Sequence, residues 1–370
     1  MKTYKIIISG GGTGGHIFPA LAIGKLLEKK IPNIKILFVG AKGRMEMEKI
    51  PKEGYEIKGL WISGFQRRIT FKNILFPFKL IHSIYMANKI LNKYSPDLVI
   101  GTGGYASGPL LYMAAYKKIP SIIQEQNSFP GITNKILSRH VNKICVAYND
   151  MEKFFPKDKI CFTGNPVRNQ ILNFSDKRVE GIKYFNLDPS YLTVLVIGGS
   201  LGALSINNTI HKNIDFFKKE SINLIWQTGI SFLDKAKNVV KEIDLPNINA
   251  YNFIQHMDLA YAAADIIISR AGAIAISELC CVGKPVILIP SPNVSENHQY
   301  KNAQSLVNKN AALLVEDSKA SCKLVVKLLE LINDSEMRAS LSKNILALGV
   351  TDASNQIVKI CSKIIKYEIK

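Results

Sequence analysis

Four loops of this 370-residue chain carry residue types that handle phosphate groups and protons. The first is Gly10-Gly11-Gly12-Thr13-Gly14-Gly15-His16, between a strand pattern and a helix pattern. Backbone N–H groups of such a loop can approach an anion, and a helix N-terminus adds positive potential. Gly10, Gly12 and Gly15 fit GxGxxG, but the second strand ends Phe38-Val39-Gly40-Ala41-Lys42-Gly43-Arg44. No acid stands there to hold ribose hydroxyls, which weighs against a nicotinamide dinucleotide. His16 is unusual at such a turn: a helix-start hydrogen bond and proton transfer near pH 7 are both open to it. The other loops are Gly101–Pro109, Gln124–Gly131 and Gly198–Ala203. One glycine loop is weak evidence. Three after strands, set on two Rossmann-like halves, predict a cleft for phosphorylated ligands. Further on, Ser269-Arg270-Ala271-Gly272-Ala273 leads into Glu278. That carboxylate either complements a helix dipole or accepts both hydroxyls of a ribose. A later helix start, Glu296 to Ala303, offers amide and imidazole donors.

Strands must position these loops. Short runs rich in Ile and Val fall at Lys5–Ser9, Ile34–Val39, Leu98–Ile100, Ser121–Gln124, Lys143–Val146 and Ile160–Phe162. Amphipathic segments such as Phe18–Lys30 and Tyr105–Lys117 lie between them. Such alternation predicts a parallel sheet covered by helices. The pattern restarts at Leu192–Ile197 and continues through Leu224–Gln227, Ile248–Tyr251, Ile266–Ser269, Val286–Ile289 and Ala312–Val315. The expected fold is therefore α/β, two Rossmann-like parallel-sheet domains facing a cleft, with the boundary within residues 164–190. The last pattern, Asp352–Tyr367, is a helix open to either half.

Composition narrows the class. At roughly 150 residues per domain the length suits two domains. A hydrophobic fraction of 47% and a charged fraction of 21% exclude a disordered or fibrous chain. Net charge is +19, from 48 Lys and Arg against 29 Asp and Glu. That suits an anionic partner, though Lys is scattered along the whole chain. Six cysteines without a CxxC pair read as buried thiols in a reducing compartment. The apolar start Ile6-Ile7-Ile8 is too short for an export signal, and Asp265–Pro290 is interrupted by Arg270, Glu278 and Lys284. A cytoplasmic protein is expected. Between Ile57 and Pro96, however, no Asp or Glu occurs. Lys58, Arg67, Arg68, Lys72, Lys79, Lys89 and Lys93 are interleaved there with Trp61, Phe65, Phe71, Ile74, Leu75, Phe76, Phe78 and Tyr85. That mixture fits an interfacial segment on anionic lipid; a core helix with a solvated basic face is the alternative. A nucleic-acid groove would also be basic and aromatic, but no nucleic-acid motif accompanies it.

Several motifs taken together resemble the MurG family, the peptidoglycan N-acetylglucosaminyltransferases of the GT-B fold. They are Gly11–His16 with Pro19-Ala20-Leu21-Ala22, Gly103-Gly104-Tyr105 with Ser107-Gly108-Pro109, Glu125-Gln126-Asn127, Gly164-Asn165-Pro166-Val167-Arg168, Gly198–Ala203 and Gln299-Tyr300-Lys301-Asn302-Ala303. The resemblance spans residues 10 to 303 in the family's order. It implies inverting transfer of N-acetylglucosamine from UDP-GlcNAc to the MurNAc C4 hydroxyl of undecaprenyl-pyrophosphoryl-MurNAc-pentapeptide (lipid I). It implies a first domain, 1–166, for acceptor and membrane, with which the terminal helix in 352–370 is grouped. A second domain, 167–350, would bind UDP-GlcNAc. Substrate-binding positions carry over to Thr13, Gly14, Gly15, Gly104, Tyr105, Asn127, Arg168, Ser200, Ile254, Ala273, Ile274, Ala275, Ile276, Ser277, Glu278 and Gln299. Glu278 would take the ribose, Ile254 backbone the uracil edge, and Arg168 with glycine-loop amides the leaving diphosphate. No cofactor and no metal is implied, and the sequence shows no DxD-like pair. Partners would be UDP-GlcNAc, lipid I, an anionic membrane surface, and cell-wall and division proteins, with no nucleic acid. The location would be the cytoplasmic face of the plasma (inner) membrane.

For the catalytic base, three candidates stand in first-half loops. Family members often carry His where this chain has Gln124, and a neutral amide cannot take a proton. His16 has a suitable ordinary pKa of about 6.5. Glu125 is the orienting or substitute base. Rival readings are a UDP-GlcNAc 2-epimerase or glycolipid synthase of similar fold, and an inactive division scaffold.

Overall fold

In the computed structural model, residues 2–64, 74–172, 174–294 and 297–368 are described. The chain forms two compact units, Met1–Val167 with Asp352–Lys370, and Arg168–Thr351.

Among the described residues the first unit holds seven strands: β1 Tyr4–Gly10, β2 Ile34–Ala41, β3 Glu56–Leu60, β4 Leu98–Gly103, β5 Ser121–Glu125, β6 Lys143–Val146 and β7 Ile160–Phe162. All pair in parallel, in the order β3-β2-β1-β4-β5-β6-β7. Helices cover both faces, so the central strands read as unbroken apolar runs; Ile6, Ile7 and Ile8 are wholly buried. The helix Gly14–Lys30 follows β1 and buries Ile17, Leu21, Gly24 and Leu27, at helical spacing. Lys29 and Lys30 in its last turn complement the dipole. The final helix, Ala353–Ile364, belongs to this unit. Its Ile357, Val358 and Cys361 join the apolar cluster of Ile17, Leu21 and Leu27 on one sheet face.

The second unit repeats the plan with β8 Leu192–Ile197, β9 Ile222–Gln227, β10 Ile248–Tyr251, β11 Ile266–Ser269, β12 Val286–Leu288 and β13 Leu313–Leu314. The order is β10-β9-β8-β11-β12-β13, again all parallel. In each unit the strand order reverses beside its first strand. Open α/β sheets bind ligands at that switch point, beyond the carboxyl ends of the strands. The switch points lie between β1 and β4, and between β8 and β11.

One expectation needs correction. The acid-free stretch from Ile57 is not a single interfacial segment, because Ile57 and Lys58 belong to β3 at the sheet edge. Lys58 is there paired with Glu56 at 2.6 Å. The rest of the described stretch is chiefly the helix Phe76–Tyr94.

Candidate active site

At the first switch point, two glycine loops pack backbone against backbone. Gly11 N–H donates to Gly103 O at 3.3 Å. Gly104, at φ +91°, lies so close to Gly11 that a Cβ there would overlap the Gly11 carbonyl. Thr102 Oγ1 donates to His16 O at 2.8 Å, which ties the start of the helix Gly14–Lys30 to β4. The His16 ring lies against Gly103, and its Nδ1 is 2.8 Å from Gly11 O and 3.4 Å from Thr13 Oγ1. A carbonyl only accepts, so Nδ1 carries the hydrogen and Nε2 the lone pair.

The first loop is not a simple anion cradle. Gly12 N–H donates to Glu46 Oε2 at 2.9 Å, and Ala41 N–H donates to Glu46 Oε1 at 2.9 Å. Glu46 is wholly buried behind the loop. With the Gly11 and Gly12 amides taken, and a carboxylate behind them, the local potential is the wrong sign for phosphate. Thr13, Gly14 and Gly15 remain at the helix start, with Thr13 exposed in an extended conformation as its cap residue.

The candidate carboxylate of the third loop is enclosed. Glu125 Oε1 accepts from Asn127 N–H at 3.0 Å and Asn127 Nδ2 at 3.2 Å. Its Oε2 accepts from Asn134 Nδ2 at 2.8 Å and Gly131 N–H at 3.2 Å. Only 2% of the residue is exposed. This closes a turn around Asn127 and leaves little access for a reacting hydroxyl, so the geometry favours an orienting role over that of a substitute base. Burial pushes the Glu125 carboxyl up from 4.5, against the pull of the Asn127, Asn134 and Gly131 donors. A raised carboxyl lends stability that is complete below its ordinary value and is lost as pH climbs through the raised one. The thermal-stability gap between wild type and Glu125→Gln should therefore shrink as pH rises from about 4. A gap independent of pH would show that Glu125 titrates as in the unfolded chain.

Gln124 is also buried. Its Nε2 donates to Asn165 Oδ1 at 2.7 Å, and Gln126 Nε2 donates to Gln124 Oε1. Gln126 Nε2 further donates to Thr102 O at 2.7 Å, and Asn165 Nδ2 to Gln126 O at 3.0 Å. The amides lock the ends of β4 and β5 together, and side chain 124 is structural here. Tyr105 is exposed, with its ring against Gly64.

At the second switch point a cavity of about 710 Å³ opens between the loop Gly198–Ala203 and the start of the helix Ala273–Val282. Ala275 and Gln299 line it, with Gly199, Ser269, Gly272 and Ser291. Gln299 Oε1 accepts from Ser291 N–H at 2.8 Å. Ser200 is exposed at the tip of the glycine loop. Other expected positions lie deeper. Ala273 and Ile276 face the core, Ile274 and Ser277 are half-buried, and Ser277 Oγ donates to Ala273 O at 3.0 Å. Ile254 N–H donates to Gln227 Oε1 at 2.9 Å, so any reading of a base edge falls to its carbonyl. Gln227 Nε2 in turn donates to Gly199 O at 3.0 Å and fixes the loop.

Glu278 lies in the second turn of its helix, beyond the strong reach of the dipole, which corrects the dipole reading. It is only 5% exposed, and Arg168 grips it with both arms, Nε to Oε1 at 2.9 Å and Nη2 to Oε2 at 3.1 Å. Tyr261 adds its hydroxyl at 3.5 Å. The Arg168 arms expected on a diphosphate hold this carboxylate instead. Arg270 was not among the expected site residues. It lines the cavity, pairs with Asp317, and donates to Ser205 Oγ at 3.1 Å and Ile289 O at 3.0 Å. Its place just after β11 at the switch point is a usable signal; Asp317, far along the chain, gives none.

Residues 6–146 match the glycosyltransferase family 28 N-terminal domain, and residues 193–357 its C-terminal domain. A Flavobacterium psychrophilum protein named UDP-N-acetylglucosamine–N-acetylmuramyl-(pentapeptide) pyrophosphoryl-undecaprenol N-acetylglucosamine transferase is 51% identical, with 100% of each chain covered. A Bacteroides fragilis protein of the same name is 48% identical over 96% of this chain and 94% of its own. The crystal structure of Acinetobacter baumannii MurG matches with a TM-score of 0.79 at 25% identity, covering 98% of this chain and 100% of that one. A UDP-GlcNAc 2-epimerase from Neisseria meningitidis reaches 0.65 at 18% identity, covering 97% and 100%, and shares the fold alone. With both domains matched in order and relatives so similar along their full length, the chain belongs to glycosyltransferase family 28 and, within it, to the MurG family of glycosyltransferases.

Proposed function

We propose that this enzyme transfers N-acetylglucosamine from UDP-GlcNAc to the C4 hydroxyl of lipid I, inverting the anomeric centre. The observation that carries the reading is the full-length match to relatives named for this transfer. The second unit takes the donor: its cavity has room for a nucleotide sugar, beside loop amides and a helix N-terminus that suit a diphosphate. The first unit takes the acceptor at the β1–β4 switch point. There His16 Nε2 accepts the hydroxyl proton as the oxygen attacks C1, the C1–oxygen bond to UDP breaks, and the departing charge falls on preorganised N–H donors. Glu125 orients Asn127. Incubation with UDP-GlcNAc and a lipid I analogue should yield the lipid-linked disaccharide. Release of UDP and free sugar without acceptor would reject the reading.

The same reading puts the enzyme on the cytoplasmic face of the inner membrane, serving cell-wall synthesis, shape and division. Among the described residues no helix is long and apolar enough to cross a membrane. Support comes from the helix Phe76–Tyr94. Ser83, Ala87 and Leu91 face inward, while Phe78, Ile81 and Tyr85 form an exposed apolar stripe, 63–67% accessible, continued by Ile74 and Leu75. A helix that met only water would carry polar groups there. Lys89 and Lys93 are exposed on the same helix, and Lys79 lies over the Trp61 ring at 5.7 Å. Phe65, Arg67, Arg68, Phe71 and Lys72 lie outside the described residues. In vesicle co-sedimentation, Phe78→Ser with Ile81→Ser should weaken binding about 10-fold. Arg67→Glu, Arg68→Glu and Lys72→Glu together should cost about 1 kcal/mol for each lost cation, as should added salt in kind. Binding indifferent to lipid charge and to both sets of changes would leave the face merely solvated.

A further inference from the structure

We propose that Glu46 is a positioning residue for His16, acting through the single peptide group that joins Gly11 to Gly12. The inference rests on the reading of His16 as the base. That peptide is engaged at both ends: its N–H donates to Glu46 Oε2 at 2.9 Å, and its C=O faces His16 Nδ1 at 2.8 Å. The two groups share one conjugated amide plane. A carboxylate drawing on the N–H shifts electron density toward the carbonyl oxygen, which then holds Nδ1–H more firmly. Hydrogen bonds in series reinforce one another by about 10–30% each. At the far side of the ring the lone pair is kept on Nε2, and the positive charge that arrives with the proton is stabilised. The result is a carboxylate–histidine pair with a peptide inserted between its members.

The setting of Glu46 suits that task. It is wholly buried at the start of the short helix Glu46–Lys52, and its second oxygen holds Ala41 N–H at the end of β2. Room for the side chain exists because Gly11 and Gly40 lack one. Both oxygens are therefore fixed by backbone from two different strand ends. Burying a carboxylate is unfavourable unless its oxygens are satisfied, and here each of them accepts one backbone N–H. Other charged or titratable groups on the surrounding elements are turned elsewhere. Lys42, Arg44, Glu48 and Lys49 are exposed, Lys58 pairs with Glu56, Tyr105 lies on Gly64, and Glu125 is closed within its own turn.

The test uses the full-length enzyme with saturating UDP-GlcNAc and a lipid I analogue. Glu46→Gln should lower the single-turnover rate by about 10-fold, up to the 10–100-fold scale of losing a direct partner of a metal-bound histidine, with donor affinity unchanged. In the His16→Ala background the same change should have little further effect, because the two act as one unit. A full additive loss in the double variant would overturn the relay and leave Glu46 as a brace. Nitrogen NMR of the His16 ring supplies a readout that a brace would not move. The intact enzyme should show the Nδ1–H tautomer, and in Glu46→Gln the Nδ1–H resonance should move upfield as its hydrogen bond to the Gly11 carbonyl weakens. Should Glu46→Gln fail to fold, the intact enzyme still decides: a resident Nε2–H tautomer overturns the proposal. Near-normal turnover in His16→Ala alone sinks the base reading, whereas the ring spectrum judges the Glu46 linkage by itself.

Discussion

Replacing His16 by alanine should slow single-turnover transfer by roughly 10²–10⁴-fold while UDP-GlcNAc binding is largely kept. The size follows from the proposed role: a general base acts on the reacting proton, whereas the proposed donor site lies in the other unit. The geometry defines which nitrogen works. With Nδ1 turned to the Gly11 carbonyl, Nε2 is the nitrogen left to accept a proton in the proposed role. Glu125 cannot readily substitute, because its two oxygens already accept four N–H groups. Single-turnover rates with saturating donor, alongside calorimetric binding of UDP-GlcNAc, check both halves of the prediction. Near-normal turnover would remove His16 from the chemistry, and a larger loss in Glu125→Gln would return the role to the carboxylate.

Glu278→Ala should weaken UDP binding by roughly 2–4 kcal/mol, the scale of a charged contact to paired hydroxyls. In Kd that is a loss on the order of 30- to 1000-fold. Arg168 and Tyr261 already orient the buried carboxylate, and a ribose would have to share its oxygens with them. Arg168→Ala tests the other side of the pair. It leaves Glu278 buried without its cation, and because Arg168 is itself about half exposed the expected destabilisation is only about 1–3 kcal/mol. Thermal unfolding should register Arg168→Ala, and calorimetry Glu278→Ala. Unchanged UDP affinity in Glu278→Ala would reject the ribose assignment.

Most strands were legible because parallel strands buried on both faces must be apolar throughout, as in Ile6-Ile7-Ile8. β3 was not, since an edge strand reading Glu-Ile-Lys-Gly-Leu is half polar. The loops were legible as loops, and their placement at two switch points follows from the strand order. Their internal wiring was not. Glu46 serves amides at positions 12 and 41, and backbone amides leave no mark on composition. The union of Arg168 with Glu278 spans 110 positions, and neither residue type specifies the other at that distance. Gln227 claims the Ile254 amide for the same unreadable reason.

The return of the helix Ala353–Ile364 to the first unit has a consequence for biosynthesis. Residues Arg168–Thr351 are one unbroken stretch and can fold as soon as they leave the ribosome. The first unit cannot finish. Until Ile357, Val358 and Cys361 are made, the apolar face around Ile17, Leu21 and Leu27 lacks its cover. At about 5–20 residues per second that interval lasts on the order of 10–40 s. The half translated first is thus the last to be completed, and it holds an unsealed oily face while its successor matures. Chaperone occupancy on stalled nascent chains should peak before residue 353 emerges and fall once the helix has docked.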